Sequence, residues 1–296
     1  MKATPTLRSA HRTILLALTD LHYMTYRQIA RYGFSPSSYT HVSEFAPDLI
    51  RWGYVALDFE RRGSEVGRSK RILMLTDKGR RYCQEALTDE ILPRTPRVAK
   101  ESFQAHTLGI TDLACVARDF AKAHPDRVVL DRIVTDLAIK RDPVMVPVAG
   151  RAVALVPDVW ESFLVDTERR SFAIEYDRGH ETREQWEEKL ERLIAGLGGP
   201  IQRHFGVRGC QVPVVINPAR RRILPQKRLD QLLLWTGESL TRKFPTPQLR
   251  SGWGKLFCFT TLDPATCDPT GFYRAPWWRS PLVPDTHPLI ERPSDY

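Results

Sequence analysis

Apolar side chains recur at helical spacing near the start of the chain. Residues 11–22 form the first run, which predicts an amphipathic helix. Thr25 and Gln28 have the spacing of a capping box, so a second helix should begin there, and Gly33 should end it. The sequence up to Gly33 therefore predicts two short helices in succession.

A third helix should follow, with Ser35 as its N-cap and Pro36 at its first helical position. Pro47 lies inside the apolar pattern and should kink or split this helix. Its inward side chains are Val42, Phe45 and Leu49. At about 100° per residue, the positions that then face outward or lie on the flank are Ser37, Thr40, His41 and Glu44.

Two strand-forming runs, 53–57 and 70–75, flank a stretch rich in arginine and glycine. They predict a hairpin with a basic tip, and Thr76 should open another helix. Three short helices followed by a hairpin is the element order of a winged helix-turn-helix, which we assign to residues 9–90. The hairpin cations that would contact phosphates or the minor groove are Arg61, Arg62, Arg68, Lys70 and Arg71.

Two segments of this region resemble the winged-helix family. "LIRWGYV" is similar to the end of a recognition helix that runs into the wing, and "LMLTDKGRRY" is similar to the exit from the wing. The resemblance implies a DNA-binding unit whose third helix enters the major groove. The alternative is a protein-interaction module whose arginines form an ordinary solvated face.

The second half of the chain alternates helical and strand patterns in the order α-β-β-β-α-β-α-β. Residues 88–97 are polar, contain two prolines and are the best candidate linker. After them we expect an α/β domain over residues 98–262 with a mixed sheet flanked by helices, so the fold class is α+β. Its expected elements are helix 98–123, strands 127–139, 153–165 and 171–177, a helix from Thr182 to Gly198, strand 212–216, helix 224–242 and strand 255–260.

Prolines recur through residues 263–296, which predicts an irregular C-terminal tail. Trp277 and Trp278 in this segment either pack on the core or stack on unpaired bases. The basic run Arg220-Arg221-Arg222 is either a DNA-backbone contact or a solvated face.

Composition excludes several classes of protein. Hydrophobic residues make up 42% and charged residues 27% of the 296 residues, so a packed core is expected and wholesale disorder is not. No apolar run approaches the roughly 18–20 residues of a membrane helix, and the N-terminal segment lacks the apolar core of a signal peptide. The five cysteines are unpatterned, which argues against a disulfide scaffold and a zinc knuckle and favours a cytoplasmic location.

Charge is distributed unevenly along the chain, whose formal net charge is +9. Residues 150–189 hold 6 lysines and arginines against 10 acidic residues, whereas residues 200–256 hold 11 against 2. This alternation suits a DNA-binding protein with a carboxylate cluster inside a basic groove, because carboxylates beside phosphates are unfavourable unless a metal ion lies between them. A solvated surface alone would account for the same distribution.

Three carboxylates stand where two expected strands would bring them together. Glu175 and Asp177 lie two residues apart on one strand, so they point to the same face. If residues 166–170 turn the chain, Asp158 on the preceding strand lies near that pair. Such a cluster repels itself without a cation, and Mg²⁺ or Mn²⁺ is the natural oxygen-ligated ion. The cations that would otherwise pair with these carboxylates are Arg178, Arg183 and Lys189.

The pattern "VPDVW…FAIEYDRG…EEKLERL" resembles the PD-(D/E)xK nuclease core. The resemblance implies that Asp158 and Glu175 bind metal and that a lysine orients the attacking water. Asp177 holds the lysine position, and Lys189 on the following helix is the nearby substitute. We therefore expect Asp158, Glu175 and Asp177 to bind a divalent cation weakly, with slow or absent DNA hydrolysis. The alternative is an active metal-dependent DNA endonuclease that the winged helix targets to a site.

Over roughly residues 9–262, the chain resembles the replication-relaxation family of plasmids and integrative elements. The resemblance rests on the winged helix followed by "HTLGITDLACVARD", "PDVWESF", "FAIEYDRGHET" and "EKLERL". It implies a protein that binds double-stranded DNA and acts in plasmid replication, DNA relaxation, mobilisation or their regulation, with other replication or mobilisation proteins as candidate partners and no membrane. His106 and Asp112 match this pattern, although His106 would also suit a satisfied, partly buried position. A protein-interaction adaptor in a larger DNA-processing assembly is a further alternative.

Overall fold

The computed structural model describes residues 6–35, 37–59, 70–88, 101–217, 223–280, 282–283 and 286–291. The chain divides into two compact units, Met1–Cys115 and Val116–Tyr296. The boundary lies inside a long helix, so the first unit extends beyond the expected 9–90. Almost all of the expected linker lies outside the described residues. So do Arg61, Arg62 and Arg68, which the sequence predicts in the hairpin, and the run 220–222.

The first unit holds the helices and the hairpin expected near the N-terminus. Its elements are α1 (Ser9–Leu21), β1 (Tyr23–Thr25), α2 (Tyr26–Gly33), α3 (Tyr39–Arg51), β2 (Val55–Phe59), β3 (Arg71–Leu75), α4 (Asp77–Ala86) and the first part of α5 (Glu101–Ala123). The three strands form an antiparallel sheet in the order β1-β3-β2. Strand β1 has three residues, which is too short for an alternating pattern to predict.

Side-chain caps fix where two of these helices begin. The Thr25 hydroxyl accepts a hydrogen bond from the Gln28 N–H, and the Gln28 carboxamide oxygen accepts one from the Thr25 N–H, so the expected capping box is formed. The Thr76 hydroxyl likewise accepts from the Gly79 N–H at the start of α4. Both caps satisfy backbone donors that a helix start leaves unpaired.

Helix α3 begins later than expected and is not split. The Ser38 N–H donates to the Ser35 carbonyl at 2.9 Å, and this turn delays the helix until Tyr39, so the predicted start at Ser35-Pro36 is wrong. Pro47 lies exposed within a single continuous helix. Its buried side chains are Val42, Ala46 and Leu49, and Phe45 is only half-buried.

The second unit is built on one large mixed sheet. After the rest of α5 come β4 (Val128–Thr135), α6 (Asp136–Ile139), β5 (Val144–Val148), β6 (Arg151–Leu155), β7 (Val159–Val165), β8 (Glu168–Asp177), α7 (Arg183–Leu197), α8 (Pro200–Phe205), β9 (Val212–Ile216), α9 (Pro225–Lys243), α10 (Pro247–Gly254), β10 (Phe257–Thr260), α11 (Pro269–Arg274), β11 (Trp277–Arg279) and β12 (Thr286–His287). The strand order is β12-β11-β10-β9-β8-β7-β4. Strand β7 pairs antiparallel with both β4 and β8, and β8, β9 and β10 are parallel. The α+β class with a mixed sheet is therefore confirmed.

Two strands of this unit differ from their predictions. The run 153–165 is divided between β6, which pairs with β5 in a separate hairpin, and β7, which joins the large sheet. Pro157 lies between them, and a proline cannot donate a hydrogen bond to a strand ladder. The run 127–139 ends as a strand at Thr135, where the short helix α6 begins.

The C-terminal segment is more regular than expected. Strand β11 pairs antiparallel with β10 and extends the large sheet, and β12 pairs with β11. Pro269 occupies the first turn of α11, where a proline is tolerated because no helical hydrogen bond is lost. Trp277 is buried against Phe272, with ring centroids 5.3 Å apart, whereas Trp278 is 51% exposed. The expectation of a wholly irregular tail is therefore wrong.

One hydrophobic core of the second unit lies on the face of the large sheet that α7 and α9 cover. The inward side chains of α7 are those that the spacing predicts, namely Trp186, Leu190, Leu193 and Leu197. The Trp186 indole N–H donates to the Thr236 hydroxyl of α9 at 3.1 Å, which ties the two helices together. Ala173, Glu175 and Asp177 alternate along β8 onto this same face.

Candidate functional site

The strand carboxylates lie at the C-terminal end of β8, and Asp158 lies beside them. Asp158 directly precedes β7, in which Val159 pairs with Ile174 of β8. The Asp158 carboxylate accepts a hydrogen bond from the Tyr176 N–H at 2.8 Å. Asp158 is thus tied to the residue that separates Glu175 from Asp177, as the expected hairpin requires.

Lys189 of α7 reaches into this group of carboxylates. Its Nζ atom lies 3.0 Å from Oε2 of Glu175 and 2.5 Å from Oε1 of Glu181. The Glu175 side chain is 3% exposed, and those of Lys189 and Glu181 are about one-quarter exposed. A capping box formed by Thr182 and Gln185 fixes the start of α7 and hence the position of Lys189 along it.

The charges of Asp158, Glu175, Glu181 and Lys189 act on one another. Burial raises the pKa of Glu175 to about 8; the Lys189 ammonium opposes this rise, and the Asp158 carboxylate adds to it. Burial disfavours the charge of Lys189, but the carboxylates of Glu175, Asp158 and Glu181 outweigh burial and raise its pKa. We call Asp158, Glu175, Glu181 and Lys189 the Lys189 cluster.

Asp177 has a different partner, Arg228 of α9. Two hydrogen bonds of 2.9 and 2.8 Å join the guanidinium to both carboxylate oxygens, and each side chain is 2% exposed. The Gly179 N–H donates to the same carboxylate at 3.1 Å. The expected metal site of Asp158, Glu175 and Asp177 is therefore not what the structure assembles, because Asp177 forms a buried ion pair.

Neither Arg228 nor Glu181 is among the site residues that the sequence predicts. The signal for Arg228 is its place on the buried side of α9, where Leu229 and Leu232 also lie. An arginine on an apolar helix face needs a buried carboxylate as its partner. Glu181 carries no comparable signal, since it belongs to a short polar loop.

The ion pairs of Lys189 with Glu175 and of Arg228 with Asp177 weaken the electrostatic reason for expecting a metal ion. Lys189 and Arg228 each lie beside one strand carboxylate and relieve the repulsion that would otherwise demand a cation. Within the described ranges, no three His, Cys, Asp or Glu side chains gather into a metal-binding group. Mg²⁺ commonly takes only one or two protein carboxylates beside water and substrate phosphate, and Asp158 and Glu175 fit that smaller donor set. One oxygen of Glu181 is also buried without a hydrogen-bond partner in the described structure.

The candidate DNA-contacting residues of the first unit lie on its surface. Ser37, Thr40 and His41 are exposed at the start of α3. Lys70 and Arg71 are exposed at the start of β3, and the Arg71 guanidinium lies 5.9 Å from the centre of the Tyr26 ring. This surface offers hydroxyl, imidazole and cationic groups to a ligand.

Asp112 has a role in the packing of the first unit. The Gln28 side-chain amide donates to the Asp112 carboxylate and to the Leu108 carbonyl, both at 2.8 Å. The side chain that completes the α2 capping box therefore also joins α2 to α5. His106 on the same helix is half-buried.

Comparison with known proteins identifies a family for most of the chain. The family model for replication-relaxation matches residues 15–204. No curated protein and no solved structure matches. The matched range contains the Lys189 cluster and ends before Arg228. No helix in the described part of the chain is long and apolar enough to cross a membrane. None of the five cysteines, all of which lie in that part, forms a disulfide.

Proposed function

This chain belongs to the replication-relaxation family, and from that premise we propose that its first unit binds double-stranded DNA during replication, relaxation or mobilisation of a plasmid or integrative element. The observation that carries the proposal is the exposed polar start of α3 together with exposed cations on the hairpin. A helix fits the major groove, and a basic hairpin contacts the phosphates beside it.

The proposed roles follow from side-chain chemistry. Ser37, Thr40 and His41 carry donors and acceptors suited to base edges. The hairpin cations contact phosphates or the minor groove; they are Lys70 and Arg71, with Arg61, Arg62 and Arg68 outside the described residues. Other replication or mobilisation proteins are candidate partners, and we propose a cytoplasmic location, for which the unpatterned spacing of the five cysteines is the support.

DNA binding is tested by its dependence on salt. Replacing Arg61, Arg62 and Arg68 together with alanine, or Lys70 alone, should weaken binding and lower the log–log salt slope by about one for each lost phosphate contact. Arg192→Ala removes a half-exposed cation of α7 that pairs with Glu188, and serves as the matched control. Hairpin variants with wild-type affinity and slope would contradict the proposal.

A second function, metal-dependent cleavage of DNA, is favoured by the contact between Lys189 and Glu175. The expectation of poor hydrolysis depends on Asp177, which would add negative charge where a phosphate must approach. Arg228 neutralises that carboxylate, and Lys189 brings a cation to Glu175 from α7. The alternative is a degenerate nuclease-like domain, in which the Lys189 cluster only stabilises the fold.

In this second function, Asp158 and Glu175 would hold Mg²⁺ or Mn²⁺. The bound ion would supply Lewis-acid stabilisation of the phosphate and activate water. Lys189 would stabilise charge on the phosphate oxygens from its position beside Glu175. Asp177 takes no part beyond fixing the end of β8 through Arg228.

Metal binding and cleavage are measured separately. An ion that binds only the folded protein stabilises it by about 2.7 kcal/mol at 100 times Kd, so Mn²⁺ should raise the melting temperature of the wild type. Glu175→Gln should lose this rise, whereas Glu188→Gln on the exposed side of α7 should keep it. Mn²⁺-dependent nicking of plasmid DNA that disappears in Lys189→Ala would support the nuclease. The absence of nicking by the wild type would support the degenerate domain.

A further inference from the structure

The loop between β8 and α7 brings a carboxylate to Lys189 that no strand position supplies. Glu181 lies one residue before Thr182, the N-cap of α7, and its Oε1 atom is 2.5 Å from the Lys189 ammonium. Glu175 contacts the same ammonium at 3.0 Å from the sheet. The ammonium therefore lies between one carboxylate of the sheet and one of the loop.

We propose that Glu181 is a positioning residue, whose carboxylate holds the Lys189 ammonium beside Glu175, where a phosphate of bound DNA would approach. The position of the ammonium is a property of the protein alone. The effect of that position on cleavage rests on the second function proposed above. The position and the effect on cleavage are tested by different measurements.

The path of the loop favours this role. Asp177 is fixed by Arg228 at the end of β8, and it also accepts the Gly179 N–H. Gly179 has a φ of 73°, a left-handed conformation that glycine adopts without the strain of a Cβ atom. The chain is thus held at Asp177 and again at the Thr182 cap, and Glu181 lies between these two anchors.

A lysine side chain needs two contacts to be held in one place. Its four-carbon stem is flexible, and its ammonium can donate in any of several directions. Glu175 alone would leave the ammonium free to pivot about one oxygen. Glu181 provides the second contact from the loop, and its other oxygen is buried rather than directed into solvent.

The position of the Lys189 ammonium is measured by NMR of protein labelled with ¹⁵N-lysine, without metal or DNA. The protons of an ammonium held by two carboxylates exchange slowly with water. The wild type should therefore show a protected lysine Nζ signal that disappears in Lys189→Arg. Glu181→Ala should lose the protected signal, and Glu181→Gln, which keeps an acceptor oxygen, should restore part of it. Glu188→Ala is the matched control, since Glu188 pairs with Arg192 on exposed α7 surface, and should leave the signal unchanged.

A cleavage assay then distinguishes a positioning role of Glu181 from a purely structural one. If the wild type cleaves DNA with Mn²⁺, Glu181→Ala should lower kcat by about 10- to 100-fold, the loss expected for one hydrogen bond to a charged group, with KM little changed. If the wild type does not cleave, the second proposed function fails, while the NMR result still decides the role of Glu181. A protected Lys189 signal that persists in Glu181→Ala would overturn the proposal. So would a wild-type kcat in that variant after the signal is lost.

Discussion

Glu161 should make the second unit less stable as the pH rises. Its side chain is completely buried on β7, on the face of the large sheet opposite the Lys189 cluster. The Tyr273 hydroxyl donates to one carboxyl oxygen at 2.7 Å, and the other oxygen has no partner in the described structure. Phe120 and Phe163 pack against the same tyrosine ring. Burial raises the pKa of Glu161 from 4.5 to about 8, although the Tyr273 hydrogen bond opposes the rise.

The sign and size of the effect follow from proton linkage. The unfolded chain loses this proton near pH 4.5, whereas the folded protein keeps it until about pH 8. Between these values the folded state binds more protons, so the free energy of unfolding falls as the pH rises. The full contribution is present below about pH 4.5 and is lost above about pH 8. A rise in pKa from 4.5 to about 8 corresponds to about 5 kcal/mol in total.

Glu161→Gln removes this titration and nearly preserves the shape of the protonated side chain. At pH 5 the two proteins should differ by no more than about 1–3 kcal/mol, the cost of an unsatisfied amide. At pH 9 the variant should be the more stable, since its unfolding free energy lacks the decline that Glu161 causes. Urea unfolding followed by tryptophan fluorescence from pH 5 to 9 measures both curves, with exposed Glu168→Gln as the control. Parallel curves for the wild type and Glu161→Gln would refute the reasoning.

Three further substitutions test the packing by their effect on the urea midpoint. Asp177→Asn leaves Arg228 buried without a counter-charge and should cost about 3–5 kcal/mol; a loss below 1 kcal/mol would show that water reaches the guanidinium. Gly79→Ala places a Cβ atom 1.9 Å from the Tyr54 carbonyl oxygen, so it should cost at least about 1–3 kcal/mol, and wild-type stability would contradict this packing. Thr182→Ala removes the α7 cap and should cost about 1 kcal/mol, whereas Thr182→Ser should cost less.

Local signals predict the helices well because the groups that start a helix lie within a few residues of one another. The boxes at Thr25 and Thr182 form as expected, and the inward face of α7 follows its spacing. The start of α3 is the exception, since a turn between Ser35 and Ser38 competes with the expected cap. A helix cap and a turn compete at Ser35, and residue propensity alone does not decide between them.

Partners distant in sequence account for most of what the sequence does not predict. The run 153–165 has a continuous β pattern, yet its two halves pair with different strands. Strand β11 forms because β10 offers it an edge and because Trp277 finds an apolar site. Hydrophobic periodicity describes a segment and its faces, but the identity of the neighbouring strand depends on the whole sheet.

The charge at the candidate site also depends on residues that are distant in sequence. A strand position determines where a side chain leaves the backbone, so the sequence correctly places Glu175 and Asp177 on one face of β8. The charge on that face also depends on helices α7 and α9, which begin at Arg183 and Pro225. Arg228 reaches Asp177 from α9, and Lys189 reaches Glu175 from α7, so a carboxylate at the expected lysine position does not make the site more negative. The residue type at one motif position is therefore weak evidence for or against catalysis. The relevant property is the sum of the charges gathered around Glu175, of which the motif specifies only part.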